Sequence, residues 1–173
     1  MKITIAAGFL LCGAAVAFAQ SHYSGMESRE IKNLSSQQIA DLKAGRGMGM
    51  ALAAELNGYP GPMHVLELAE QLELSTDQRA KVQGLFDAMK TEAVPNGEKL
   101  IGLEADLNRQ FALRQISSAS LQATTAAIAE AQGKLRETHL KYHLTTAALL
   151  TDAQRQRYAQ LRGYRSDAPN RHH

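Results

Sequence analysis

The chain has 173 residues, with 19 basic and 17 acidic side chains and a formal net charge of +2. So small a charge argues against a nucleic-acid partner, because phosphate binding needs a net or clustered basic surface. The absence of Trp, the 5% aromatic content and the abundance of Ala, Leu, Gln and Glu favour one helical domain over a sheet.

The first 19 residues are typical of an export signal. Lys2 supplies a positive start, an apolar run follows to Ala19, and Ala17-Phe18-Ala19 offers small residues to a signal peptidase. We expect cleavage after Ala19 and a periplasmic protein, with retention as a membrane anchor as the alternative. Cleavage also removes Cys12, the only cysteine, so disulfides and cysteine-ligated zinc are excluded from the mature protein.

The next segments are a leader and an extension. Residues 20–33 show no sustained hydrophobic period and predict a flexible leader, whereas residues 34–59 predict an N-terminal extension helix. Ser35 caps that helix, and Gln38 completes a capping box three residues later. The middle of the helix either packs its backbone closely or breaks, because three glycines fall there: Gly45, Gly47 and Gly49.

A second capping box, Leu74-Ser75-Thr76-Asp77-Gln78, follows a short predicted helix from about Pro62 to Glu73. The box opens a long helix that Pro95-Asn96-Gly97 interrupts. Proline in a helix interior costs about 3 kcal/mol or more, so we expect a kink or a break there. Apolar spacing resumes beyond the proline, which favours one bent helix, and the chain turns near Gln115.

The following helix begins at Ser117, with Ser120 at the position where a capping box usually has Gln or Glu. A third clear box, Leu150-Thr151-Asp152-Ala153-Gln154, opens a last short helix that Gly163 ends, and residues 165–173 predict a disordered tail. The helix from Ser117 has an apolar spine every seven residues, suited to antiparallel packing: Leu121, Ile128, Leu135, Tyr142 and Leu149.

Together these elements predict an all-α fold, a bent antiparallel helical hairpin with short flanking helices. The hairpin belongs to a helical domain over residues 60–164. Because a hairpin of only two long helices cannot bury all its apolar positions alone, we expect a homodimer. No Gly-rich phosphate loop, G-x-S-x-G elbow, H-E-x-x-H pair or Ser/His/Asp arrangement is evident, so we predict that the protein is not an enzyme.

The second and third boxes resemble the paired LTxxQ motifs of the Spy/CpxP family of periplasmic proteins, and the likeness covers roughly residues 60–164. The motif caps are Ser75, Gln78, Thr151 and Gln154, with Ser75 where the family has Thr. The resemblance implies an ATP-independent chaperone or envelope-stress modulator. Its partners would be unfolded or misfolded envelope proteins or a membrane stress sensor. A structural envelope protein is a further interpretation.

Histidines suggest a second function. His139 and His143 lie four residues apart on a predicted helix, where two imidazoles can reach one metal ion, although paired histidines are more often surface residues. A hairpin turned near residue 115 places Asp87 and Glu92 at a similar level, and folding the short helix back around residue 74 or 75 brings His64 close to that level. Such a set suits Zn, Ni or Co, as in a sensor or buffer.

Metal-responsive relatives of the Spy/CpxP family, such as the CnrX and ZraP proteins, bind transition metals through side chains, some on the same helices. Methionines also occur near the predicted loops, namely Met48, Met50 and Met63. A thioether site for a soft metal is one interpretation of them. Since they lie near Gly and Pro rather than in a ligand stripe, we interpret them as packing residues.

Overall fold

The computed structural model describes residues 23–164, and over that range the chain is all-α, as predicted, with 70% helix and no strand. The predicted export signal, with Cys12, and the predicted tail over residues 165–173 lie outside the described residues. None of the helices within residues 23–164 combines the length and apolar character needed to cross a membrane.

Six α-helices make up the described part of the fold. They are α1 (Ser36–Lys43), α2 (Leu52–Glu55), α3 (Pro62–Glu67), α4 (Thr76–Ala112), α5 (Ser118–Leu149) and α6 (Asp152–Leu161). The four predicted caps are confirmed, each with a reciprocal capping box: Ser35, Ser75, Ser117 and Thr151. In the box of α5 the hydroxyl of Ser120 takes the place of a glutamine, accepting the backbone N–H of Ser117 at 3.0 Å.

Helices α4 and α5 pack antiparallel as the centre of the molecule. Gln78 at the start of α4 donates to the carbonyl of Leu149 at the end of α5, at 2.9 Å. At the other end, the amide nitrogen of Gln110 lies 3.2 Å from the hydroxyl of Thr124. The core between them and α1 consists of apolar side chains that are at most 8% exposed: Ile31, Leu34, Leu42, Ala93, Leu100, Ile128, Ala131 and Leu135.

The long helix α4 runs through Pro95 without a break. Pro95 lies on the exposed face of α4, and Thr91, whose carbonyl it leaves without a helical donor, is also an exposed residue. Two residues later, Gly97 is buried under α1, and a Cβ atom there would lie 2.5 Å from the carbonyl oxygen of Leu42. The glycine therefore lets the backbone of α1 rest directly on α4.

The predicted helix over residues 34–59 is broken in its glycine-rich middle, which is one of the two outcomes that its sequence predicts. After α1 the chain forms a loop in which Gly45, Met48 and Gly49 have positive φ angles, and α2 is only four residues long. Left-handed backbone cannot continue a right-handed helix, so the glycine-rich stretch breaks it.

Part of the expected flexible leader packs against α4. Ile31 is 5% exposed, and the backbone N–H of Lys32 lies 3.4 Å from the side-chain oxygen of Asn108. Asn33 adds a 2.9 Å hydrogen bond to Glu104. Residues 31–33 are therefore anchored to the central helix.

Candidate binding site

The two boxes that resemble LTxxQ motifs meet at one end of the molecule. Gln78 donates to the side-chain oxygen of Gln154 at 2.9 Å, and Gln154 donates in return to that of Gln78 at 3.1 Å. Each amide oxygen also accepts the N–H of its own cap residue, Ser75 or Thr151. We call these two side chains the glutamine pair. It joins the starts of α4 and α6, so the motif glutamines have a structural role in the fold.

His139 and His143 of α5 face the loops on either side of α2. A Cβ atom at Gly47 would lie 3.4 Å from Nδ1 of His139, and one at Gly61 would lie 2.6 Å from Nε2 of His143. The rings are 3% and 9% exposed, so they are not surface histidines. Each ring instead lies against a backbone segment that a glycine leaves open.

The hydrogen bonding of the two imidazoles differs. Nδ1 of His143 lies 2.7 Å from the carbonyl oxygen of Tyr59, so this nitrogen carries the hydrogen and donates it. Nε2 of His139 has no hydrogen-bond partner among the described residues. Burial lowers the pKa of His139 below its ordinary value, and neighbouring His143 lowers it further. His139 is therefore a neutral imidazole at neutral pH.

A buried carboxylate lies beside His143. Glu55 is 7% exposed, and one of its oxygens accepts the hydroxyl of Tyr158 and, at 3.1 Å, that of Tyr164. Its other oxygen accepts the backbone N–H of Gly61 at 3.2 Å and lies 3.6 Å from Nδ1 of His143. Burial and the bond to Glu55 raise the pKa of Tyr158. This cluster ties α2 to α6.

The three predicted histidine ligands line one cavity of about 670 Å³. We call it the histidine pocket, and its lining includes the imidazoles of His64, His139 and His143 and three methionines, Met48, Met63 and Met89. His64 lies 2.9 Å from Glu67, its neighbour one helical turn away.

The two predicted carboxylate ligands, Asp87 and Glu92, are not in the lining of this pocket. Asp87 accepts the side-chain amide of Gln83 at 2.9 Å, while Glu92 accepts Lys141 and Tyr142, both at 2.7 Å. Glu92 raises the pKa of Tyr142 to about 12. Among residues 23–164, no group of three or more His, Cys, Asp or Glu side chains is arranged to hold one metal ion.

A second cavity, also of about 670 Å³, adjoins the histidine pocket, since Glu55 and Tyr164 line both. Of the twelve large apolar side chains that are exposed within residues 23–164, seven line one or both cavities. We call these seven the apolar face: Met48, Leu52, Leu56, Tyr59, Met63, Leu144 and Tyr164. More than half of these exposed apolar side chains therefore lie around the two adjoining cavities.

No protein-family model, curated protein or solved structure matches the chain. The function is therefore inferred from the residues of the two cavities and from the capping boxes.

Proposed function

We propose that the chain is a periplasmic, non-enzymatic, Spy/CpxP-like protein that holds apolar segments of unfolded or misfolded envelope proteins without ATP. The observation that carries the proposal is the apolar face, because apolar side chains left exposed around two adjoining cavities are typical of an interaction site. The resemblance of the two boxes to LTxxQ motifs and the typical export signal at residues 1–19 support it. The alternative partner for the same face is a membrane stress sensor.

The residues of the apolar face suit weak and reversible binding. Leu56 and Leu144 are 57% and 58% exposed, so a bound apolar segment can cover more than half of each side chain. Such burial contributes about 1 kcal/mol per leucine. Met48 and Met63 add flexible side chains that adapt to clients of different shape. Several such contacts hold a client without fixing one sequence.

Suppression of the aggregation of a chemically unfolded protein, without ATP, tests this proposal. We expect Leu56→Ser combined with Leu144→Ser to weaken suppression several-fold, because both changes fall on the apolar face. Phe111→Ser combined with Leu113→Ser is the matched control, since these side chains are 54% and 56% exposed but lie at the α4–α5 turn. Equal losses in both variants, or no suppression by the wild type at several-fold excess, would contradict the proposal.

We also propose a homodimer, since so thin a hairpin leaves apolar side chains such as Leu121 exposed outside the apolar face. Sedimentation velocity on the wild type and on the Leu56→Ser/Leu144→Ser variant tests this. A dimer that the variant retains leaves the apolar face to clients, whereas a dimer that the variant loses would place the second copy there instead. A monomeric wild type contradicts the dimer.

The second candidate function is a sensor or buffer for zinc, nickel or cobalt. The observation that favours it is that His64, His139 and His143 line one pocket, with Nε2 of His139 unpaired within the described range. Calorimetric titration with each metal tests it on the wild type and on His64→Ala, which removes a partly exposed candidate ligand and should weaken binding. Absence of wild-type binding at micromolar metal excludes this candidate. If both candidates fail, a structural role in the envelope is the remaining interpretation.

A further inference from the structure

The histidine pocket collects most of the soft donor atoms of the described chain. All three histidines within residues 23–164 line it, and so do three of the five methionines in that range, Met48, Met63 and Met89. We propose that this pocket binds copper(I), held by methionine sulfurs together with imidazole nitrogens. The proposal does not rest on client binding, although Met48 and Met63 also belong to the apolar face. It differs from the zinc, nickel or cobalt candidate in the metal and in the methionine ligands.

Met48 is not explained by packing. Its side chain is 40% exposed, so it does not fill the core. Its φ angle is +43°, a left-handed conformation that long side chains rarely adopt, and it stands between Gly47 and Gly49. A strained backbone position that carries an exposed methionine suggests a functional side chain. Packing in the core therefore does not account for Met48.

Met63, in α3, is exposed to the same extent, at 40%. It lies two residues after Gly61, against which the ring of His143 packs, just as Met48 directly follows Gly47, against which His139 packs. Each buried imidazole is thus matched with a methionine on the segment that it touches. Met89, which is 6% exposed, reaches the pocket from α4.

The donors that remain free favour a soft ion. Glu55 is engaged by two tyrosine hydroxyls and a backbone N–H, and Asp41 is paired with Arg46 at 2.7 Å. The imidazole of His139, which is 3% exposed, has an unpaired Nε2 within the described residues. Thioether sulfur selects copper(I) over zinc, and imidazole binds copper as well.

Methyl NMR with silver(I), a redox-inert stand-in for copper(I), locates the ligands. In protein labelled with ¹³C at the methionine methyl groups, we expect sub-stoichiometric silver(I) to shift the signals of Met48 and Met63. The signals of Met26 and Met50 should not move, because neither residue lines the pocket. Unchanged Met48 and Met63 signals, or equal shifts of all methionines, would overturn the proposal.

Copper(I) affinity gives a second test, by anaerobic competition with bicinchoninate in the presence of ascorbate. We expect Met48→Leu combined with Met63→Leu to weaken copper(I) binding at least tenfold. The exchange preserves volume at exposed positions, so the fold is retained. Met50→Leu is the matched control, since Met50 packs against the core, and it should bind like the wild type.

The same double variant separates the two metal candidates. It keeps every histidine, so zinc, nickel or cobalt binding through imidazoles, including those outside the described residues, should be unchanged. Loss of copper(I) binding with retained zinc binding supports the copper(I) site. Copper(I) binding equal to that of the wild type overturns it and leaves the zinc, nickel or cobalt candidate to its own titration.

Discussion

The glutamine pair makes a sharp prediction about why these boxes contain glutamine rather than glutamate. In Gln154→Glu the new carboxylate can still accept the N–H of Thr151, so the cap of α6 is retained. It can no longer donate to the carbonyl of Leu72, at 3.2 Å, or to the side-chain oxygen of Gln78, at 3.1 Å. One carboxylate oxygen of the new glutamate then faces the carbonyl oxygen of Leu72 and the side-chain oxygen of Gln78, and none of the three carries a hydrogen to donate.

The expected cost follows from those contacts. Two lost hydrogen bonds account for about 1–3 kcal/mol, and the repulsion between oxygens adds to it. We therefore expect Gln154→Glu to lower the free energy of unfolding by about 2–3 kcal/mol at pH 7. Gln78 cannot compensate by rotating its amide, because its oxygen accepts the N–H of Ser75.

Urea denaturation followed by circular dichroism at 222 nm measures this loss, with Gln38→Glu as the matched control. Gln38 is exposed and caps α1 without any contact to another box. A carboxylate near a helix N-terminus is favourable there by about 0.3–1 kcal/mol. Protonation of the carboxyl group that Gln154→Glu introduces restores a donor, so the deficit of this variant should shrink at pH 4. Equal stabilities of the two variants at pH 7 would refute this account of the pair.

Two further predictions concern α4. Gly97→Ala should lower the free energy of unfolding by about 1–2 kcal/mol, because the clash with Leu42 exceeds the gain of about 1 kcal/mol in helix propensity. Gly102→Ala should raise the free energy of unfolding by up to about 1 kcal/mol, because its added methyl group meets open space. Thermal denaturation measures both variants, and stability changes of the same sign in the two would contradict this reasoning. Lys141 holds the pKa of Glu92 below its ordinary value. The Lys141–Glu92 ion pair therefore stabilises the fold at neutral pH, and this contribution is lost as the pH falls through the lowered pKa of Glu92. In Glu92→Gln the free energy of unfolding should therefore differ less between pH 7 and pH 3 than it does in the wild type. An unchanged difference would contradict a stabilising role of the Lys141–Glu92 ion pair.

The helix starts were predictable because capping is local. A box needs only a hydroxyl and an acceptor three residues later, so Ser35, Ser75 and Thr151 identify their helices directly. Even Ser117, whose box is degenerate, forms the same contacts through Ser120. Short-range chemistry of this kind is written in consecutive residues.

Which residues of α4 and α5 lie opposite one another was less predictable. A turn near residue 115 was expected to set His139 beside Glu92, whereas Lys141 and Tyr142 contact that carboxylate. A shift of one residue along a helix changes the direction in which the side chain points by about 100°. A small error in the turn therefore directs His139 and His143 to a different neighbour, the loops around α2.

The Glu55 cluster had no signal in the sequence. Its partner Tyr158 is 103 residues away, and no periodicity relates the two positions. Glu55 occupies a four-residue helix in which a carboxylate suggests a solvent-facing residue. Only the packed structure shows that it is 7% exposed and bonded to two tyrosines.

The distance between Glu55 and Tyr158 along the chain also has a consequence for the order of folding. Until Tyr158, 103 residues further on, is in place, the carboxylate of Glu55 lacks the hydroxyl that it accepts, so burying it is unfavourable. Docking of α2 is therefore coupled to docking of α6, although the two helices are far apart in the sequence.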